Sequence, residues 1–121
     1  MPGEVRHIIF SKIEVLSALT EYRRRRKKLL PSSEDVEVTI RDKPKTVVTL
    51  AIVPEGKQMP LEFVFEGEEL AAALIMYCIG RSIPLPATGV SKTIRLVGDN
   101  IVLQILKDVT REQTKALSDL F

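Results

Sequence analysis

Several scarcities bound what this 121-residue chain can be. It has one cysteine, Cys78, so no disulfide can form within it, and a reducing compartment is expected. His7 is the only histidine, so one copy cannot assemble the usual His/Cys zinc constellations, and no motif supports a Ser-His-Asp arrangement. Tryptophan is absent and aromatics are 5%, which leaves little for stacking bases. The longest apolar run, Leu70 to Ile79, is ten residues, about half of what spans a bilayer. Met1 to Arg6 lacks the charged start and apolar run of a secretory leader. Neither Ala87-Thr88-Gly89-Val90 nor Val97-Gly98-Asp99 matches a phosphate-binding loop. A cytoplasmic protein with no cofactor, no metal and no membrane partner is the expectation.

What the chain does contain is a repeat. A shift of 55 positions superposes Phe10, Glu14, Ala18, Leu19, Tyr22, Arg26, Leu30 and Pro31 on Phe65, Glu69, Ala73, Leu74, Tyr77, Arg81, Leu85 and Pro86. Eight identities in 22 ungapped positions far exceed the one or two that composition would give, so the chain is a tandem duplication. Units of about 55 residues are marginal alone, which predicts a single domain over 1–121 with one shared core, built from repeats at about 5–53 and 60–107.

Each repeat reads as strand, helix, strand, strand. Arg6–Phe10 alternates as a strand, and Ser11-Lys12-Ile13-Glu14 has the spacing of a capping box, opening a helix expected to run to about Lys28. Pro31 excludes helix at the residue before it. Val36–Arg41 and Thr46–Val53 alternate as two further strands around Asp42-Lys43-Pro44-Lys45. In the second repeat, Leu61–Phe65 is the strand, Gly67 to Ile79 or Arg81 the helix, and Ile83-Pro84-Leu85-Pro86 an extended exit. Ser91–Val97 and Ile101–Lys107 form a hairpin around Gly98-Asp99-Asn100. Thr110 and Gln113 repeat the capping-box spacing at the start of a C-terminal helix over 110–121, whose apolar side is Leu117, Leu120 and Phe121. The expected fold is α+β: tandem βαββ units forming one mixed, largely antiparallel six-stranded sheet with two helices on one face, plus the terminal helix.

The helices share one stripe and differ on the other. Val15, Ala18, Leu19, Tyr22 and Arg26 match Leu70, Ala73, Leu74, Tyr77 and Arg81, the stripe expected to lie on the sheet with tyrosine and arginine at its edge. Opposite, the first helix has Ser17, Thr20, Glu21 and Arg24, whereas the second has Ala72, Ile75, Met76 and Ile79. A helix apolar all round needs cover on both sides, either from the terminal helix or from a second copy, so Ala72, Ile75, Met76 and Ile79 are the expected homodimer interface.

Charge is as uneven as hydropathy. Net charge is +2, yet Arg23, Arg24, Arg25, Arg26, Lys27 and Lys28 contribute six positive charges, leaving the remainder at about −4. Such a run can neutralise phosphates, giving salt-dependent affinity for nucleic acid, or it can attract an acidic protein. Cations also sit well against the negative end of a helix dipole, which explains the run without any ligand. His7 matches Glu62 and reads as an outward strand position; Cys78 reads as a buried, inert thiol; capping accounts for both Glu14 and Glu69. The sequence therefore favours a non-enzymatic interaction or regulatory module that homodimerises. A nucleic-acid or other polyanion binder using Arg23 to Lys28 is the alternative, and an enzyme with a site between the repeats at Tyr22, Arg26, Tyr77 and Arg81 is the third class.

Overall fold

In the computed structural model, residues 2–85 and 90–120 are described, without the side chains of residues 90 and 118–120. The apolar and polar alternations become β1 (Glu4–Phe10), β2 (Val36–Arg41), β3 (Val47–Ile52), β4 (Leu61–Glu66), β5 (Val90–Val97) and β6 (Asn100–Lys107). The 3.6-residue patterns become α1 (Lys12–Arg25), α2 (Gly67–Gly80) and α3 (Arg111–Leu120). The bounds of α1 and α2 coincide under the 55-residue shift, and each helix is 14 residues long.

Six strands and two main helices therefore lie where alternation and periodicity place them, in an α+β fold. Their assembly differs from a single sheet. The strands form two three-stranded antiparallel sheets, ordered β1-β6-β5 and β2-β3-β4. Each sheet takes the first strand of one repeat and the hairpin of the other. Phe10 faces Ile101 across β1 and β6, while Phe65 faces Val48 across β4 and β3. The expected crossover inside one mixed sheet is absent because β1 and β2, the strands on either side of α1, belong to different sheets. A flat sheet would cover one side of the helices only. Exchange of hairpins lets each helix rest on the sheet begun by its own preceding strand, with α1 against β1 and β6, α2 against β3 and β4, and α1 against α2.

One core results. Val15, Ala18, Leu19 and Tyr22 of α1 and Leu70, Ala73, Leu74, Tyr77 and Cys78 of α2 are buried with Phe10, Val48, Leu50, Ile52, Phe65, Ile101, Leu103 and Ile105 from the strands. Each large side chain withdrawn from water contributes about 1.5–3 kcal/mol, and neither repeat supplies both walls of this core. A polar link joins the sheets. Thr46 Oγ1 lies 3.0 Å from both the Asp42 carboxylate and the Ile94 carbonyl, and Leu96 N–H donates to the same Asp42 oxygen at 3.3 Å. The loop of the first hairpin thus satisfies backbone groups on β5, an edge strand of the other sheet.

The helix ends follow local chemistry. Ser11 Oγ accepts the Glu14 N–H while Glu14 Oε1 accepts the Ser11 N–H, so the expected capping box forms, and Thr110 and Gln113 form another. At α2 the N-cap is Glu66, whose side chain caps nothing and instead pairs with Lys45 at 3.0 Å. Capping therefore accounts for Glu14 and not for Glu69, because Glu66 lacks the short hydroxyl that completes a box. At the other end, α1 stops three residues short of the expected Lys28. Lys27 takes φ +57°, Lys28 N–H bonds back to the Arg23 carbonyl, and Lys27 N–H to that of Arg24. This is a Schellman motif with lysine where glycine is usual. The second repeat reproduces it: Ser82 has φ +57°, Ile83 N–H reaches Cys78, and Ser82 N–H reaches Ile79.

Candidate functional site

The two helix C-termini bring most of the candidate residues together. Arg23 is turned inward: its Nε donates to the Lys28 carbonyl at 2.7 Å, and its guanidinium lies 5.2 Å from the ring centre of half-buried Phe63. Arg26, at the cap, sits 5.4 Å from the ring of Tyr22 one turn back. Arg26 is nonetheless exposed, as are Arg24, Arg25, Lys27 and Lys28. Two arginines of the run thus lie against aromatic rings, Arg26 from an exposed position, and the other four cations face solvent. Leu29, 71% exposed, follows directly.

The repeated tyrosine–arginine pairs are both present as i, i+4 contacts, and they are unequal. Arg81 stacks 3.5 Å from the Tyr77 ring centre and reaches Glu21 of α1 at 3.1 Å. That hydrogen bond, with the nearby charges of Arg81, Arg24 and Arg25, holds the Glu21 carboxyl below the ordinary carboxylate range despite some desolvation. The residue matched to Glu21 in the second repeat is Met76, so Arg26 has no equivalent acid at that position. Both tyrosine rings are buried, and Tyr77 packs edge-on against Phe10 with ring centres 6.0 Å apart. The Arg81–Glu21 pair fixes the C-terminal end of α2 beside that of α1.

The predicted interface residues lie in graded positions. Ala72, Ile75 and Met76 are half-buried against the core, and Ile79 is 66% exposed. Much of the second wall that α2 requires is supplied within the chain by α1. The described part of α3 lies elsewhere: Gln113, Ala116 and Leu117 line a hollow of about 190 Å³ with Gly3, Val5 and Val109. A Cβ on Gly3 would come within 2.7 Å of Gln113 Oε1, which shows how closely α3 seats beside β1. The side chains of Leu120 and Phe121, like the segment Pro86 to Gly89, lie outside the described residues.

Other side chains with chemical potential have ordinary surroundings. His7 Nε2 lies 3.0 Å from Gln104 Nε2 on the outer face of the β1-β6-β5 sheet, where a hollow of about 220 Å³ is also lined by Ile9, Arg95, Val97 and Val102. The Cys78 thiol is buried, and desolvation raises its pKa, partly opposed by the charge of Arg6. A larger hollow of about 400 Å³ opens between Lys45, Thr46, Gly67, Glu68 and Lys92. No group of three or more metal-ligating side chains occurs among the described residues. No described helix is long and apolar enough to cross a membrane.

Sequence reading did not single out the exposed pair Ile9 and Val97 around Val102, the Glu21–Arg81 bridge, or Leu29. The first could have been found by following the outward phase of the strands. The second has no sequence signal, since its partners are 60 residues apart. No family model, curated protein or solved structure matches the chain.

Proposed function

We propose that the chain is an interaction module that acts by binding rather than by catalysis, and that it homodimerises through the solvent side of α2. The observation that carries this reading is Ile79, 66% exposed at the end of a helix with no charged residue from Leu70 to Gly80. It continues the i, i+3, i+4, i+7 face of Ala72, Ile75 and Met76, while the matched face of α1 is polar. The terminal helix, the other available cover, seats its described residues beside Gly3. An apolar face of this kind is self-complementary about a twofold axis, and the small Ala72 and Gly80 permit two copies of α2 to approach closely. A cytoplasmic setting, where a lone thiol stays reduced, suits such a module.

Light scattering tests the reading. The wild-type protein should have twice the 13.6 kDa mass of the chain, and Ile79→Glu should have the monomer mass while still melting cooperatively. Ile79 is a better probe than Ile75 because substitution at an exposed position leaves the core intact. A wild-type monomer, or a dimer that survives the glutamate, overturns the interface.

A further inference from the structure

The second repeat provides an internal control for the basic run. Both helices end with the same Schellman reversal, the same positive-φ residue and the same tyrosine–arginine pair. In the second repeat that ending is built from Cys78, Ile79, Gly80, Arg81, Ser82 and Ile83, with one cation. In the first it is built from Arg23, Arg24, Arg25, Arg26, Lys27 and Lys28, with six. Closing the helix and offsetting its dipole therefore do not require the run. Arg23 and Arg26 are engaged by Phe63, the Lys28 carbonyl and Tyr22, which leaves Arg24, Arg25, Lys27 and Lys28 as an excess exposed to solvent.

This excess is also rigidly presented. Arg24 and Arg25 occupy the last turn of α1, and the reversal at Lys27 is closed by two backbone hydrogen bonds and by the Arg23 side chain on the Lys28 carbonyl. Lysine occupies φ +57° at position 27, as serine does at position 82, so the reversal itself is common to both repeats and the charge is particular to the first. The rest of the molecule sums to about −4, so the densest positive charge in the sequence lies at this end.

We infer that Arg24, Arg25, Lys27 and Lys28 form a phosphate-backbone contact for double-stranded nucleic acid, independent of base sequence. Two of the four are guanidinium groups, whose fork matches phosphate oxygens. A duplex is favoured over a single strand because single-strand binding relies on exposed aromatic rings, and among the described residues Phe10, Tyr22, Phe65 and Tyr77 are buried while Phe63 lies half-buried under Arg23. The contact is independent of the α2 interface, since a monomer carries all four cations.

Fluorescence anisotropy with a labelled 20-base-pair duplex of mixed sequence, titrated with the full chain between 50 and 200 mM salt, tests the inference. Four phosphate contacts predict a log–log salt slope of about −3.6. The quadruple variant Arg24→Gln, Arg25→Gln, Lys27→Gly, Lys28→Gln should bind at least about tenfold more weakly with a slope near zero. It should keep its melting transition, because none of the four side chains supports the core. A control with the same charge change dispersed elsewhere, Lys43→Gln, Lys57→Gln, Lys92→Gln and Arg111→Gln, should retain the slope. Absence of binding at 50 mM salt, equal loss in both variants, tighter binding of a single strand, or equal affinity for polyglutamate would each overturn it.

Discussion

The two halves of this molecule terminate a helix in the same way with different side chains. In both, the chain reverses through a non-glycine residue at φ +57°, and an arginine covers a buried tyrosine. Around that shared geometry, one half faces solvent with arginine and lysine and the other with isoleucine and glycine. The shared features are those that the core and the backbone require. The divergent ones lie where neither makes a demand, and it is there that different partners for the two ends can be sought.

The largest expected effect tests whether the halves are separable. Because each sheet combines one repeat's first strand with the other's hairpin, fragments 1–56 and 57–121 should each lack a cooperative melting transition by circular dichroism and regain one on mixing. A fragment that melts cooperatively alone would break the picture of an exchanged core. Next come matched truncations. Leu19→Ala and Leu74→Ala remove fully buried side chains at equivalent places, and each should cost about 2–5 kcal/mol in urea unfolding, with similar values for the two. A markedly smaller loss at Leu74 would mean that α2 is less tightly packed than its partner, contrary to the equal burial of the two sites. Reactivity sharpens the same point: Cys78, buried and with its thiol pKa raised by desolvation, should react with a thiol reagent at neutral pH only as fast as the protein opens.

The repeat made much of this arrangement legible. The 55-residue shift located both helices, alternation marked the strands at Val36–Arg41 and Thr46–Val53, and capping-box spacing marked Ser11 and Thr110. Pairing was not legible. Val36–Arg41 offers the same alternation to any neighbouring strand, so nothing in its pattern distinguishes β1 from β4 as the third member of its sheet. The helix end at Lys27 was hidden because lysine gives no sign of a left-handed residue, whereas glycine would have. For the basic run, composition showed the cations, but only the geometry singles out Arg23 and Arg26 as lying against rings. Likewise the all-round hydropathy of α2 required a second wall, and periodicity could not show that α1 provides much of it.

Smaller effects distinguish the two halves at their polar contacts. Ser11→Ala should cost about 1 kcal/mol in urea unfolding, since it removes a formed cap; Glu66→Ala should cost less, because the side chain at that N-cap bonds none of the helix N–H groups. Smallest is the contribution of Glu21, the acid that only the first repeat has. Its carboxyl is held below its ordinary pKa in the folded chain, chiefly by the Arg81 hydrogen bond, so the folded state binds its proton less readily than the unfolded state does. Its stabilisation is therefore fully present above the ordinary glutamate value of 4.5 and is lost as pH falls through the lowered folded value. Because the pair is largely exposed, solvent and salt screen it. Urea midpoints of wild type and Glu21→Gln should differ slightly at pH 7 and converge as pH falls below the ordinary glutamate value, with the gap narrowing further in high salt. A difference that widened on acidification would have the opposite sign and would mean that Arg81 does not hold α2 to α1 through this carboxylate.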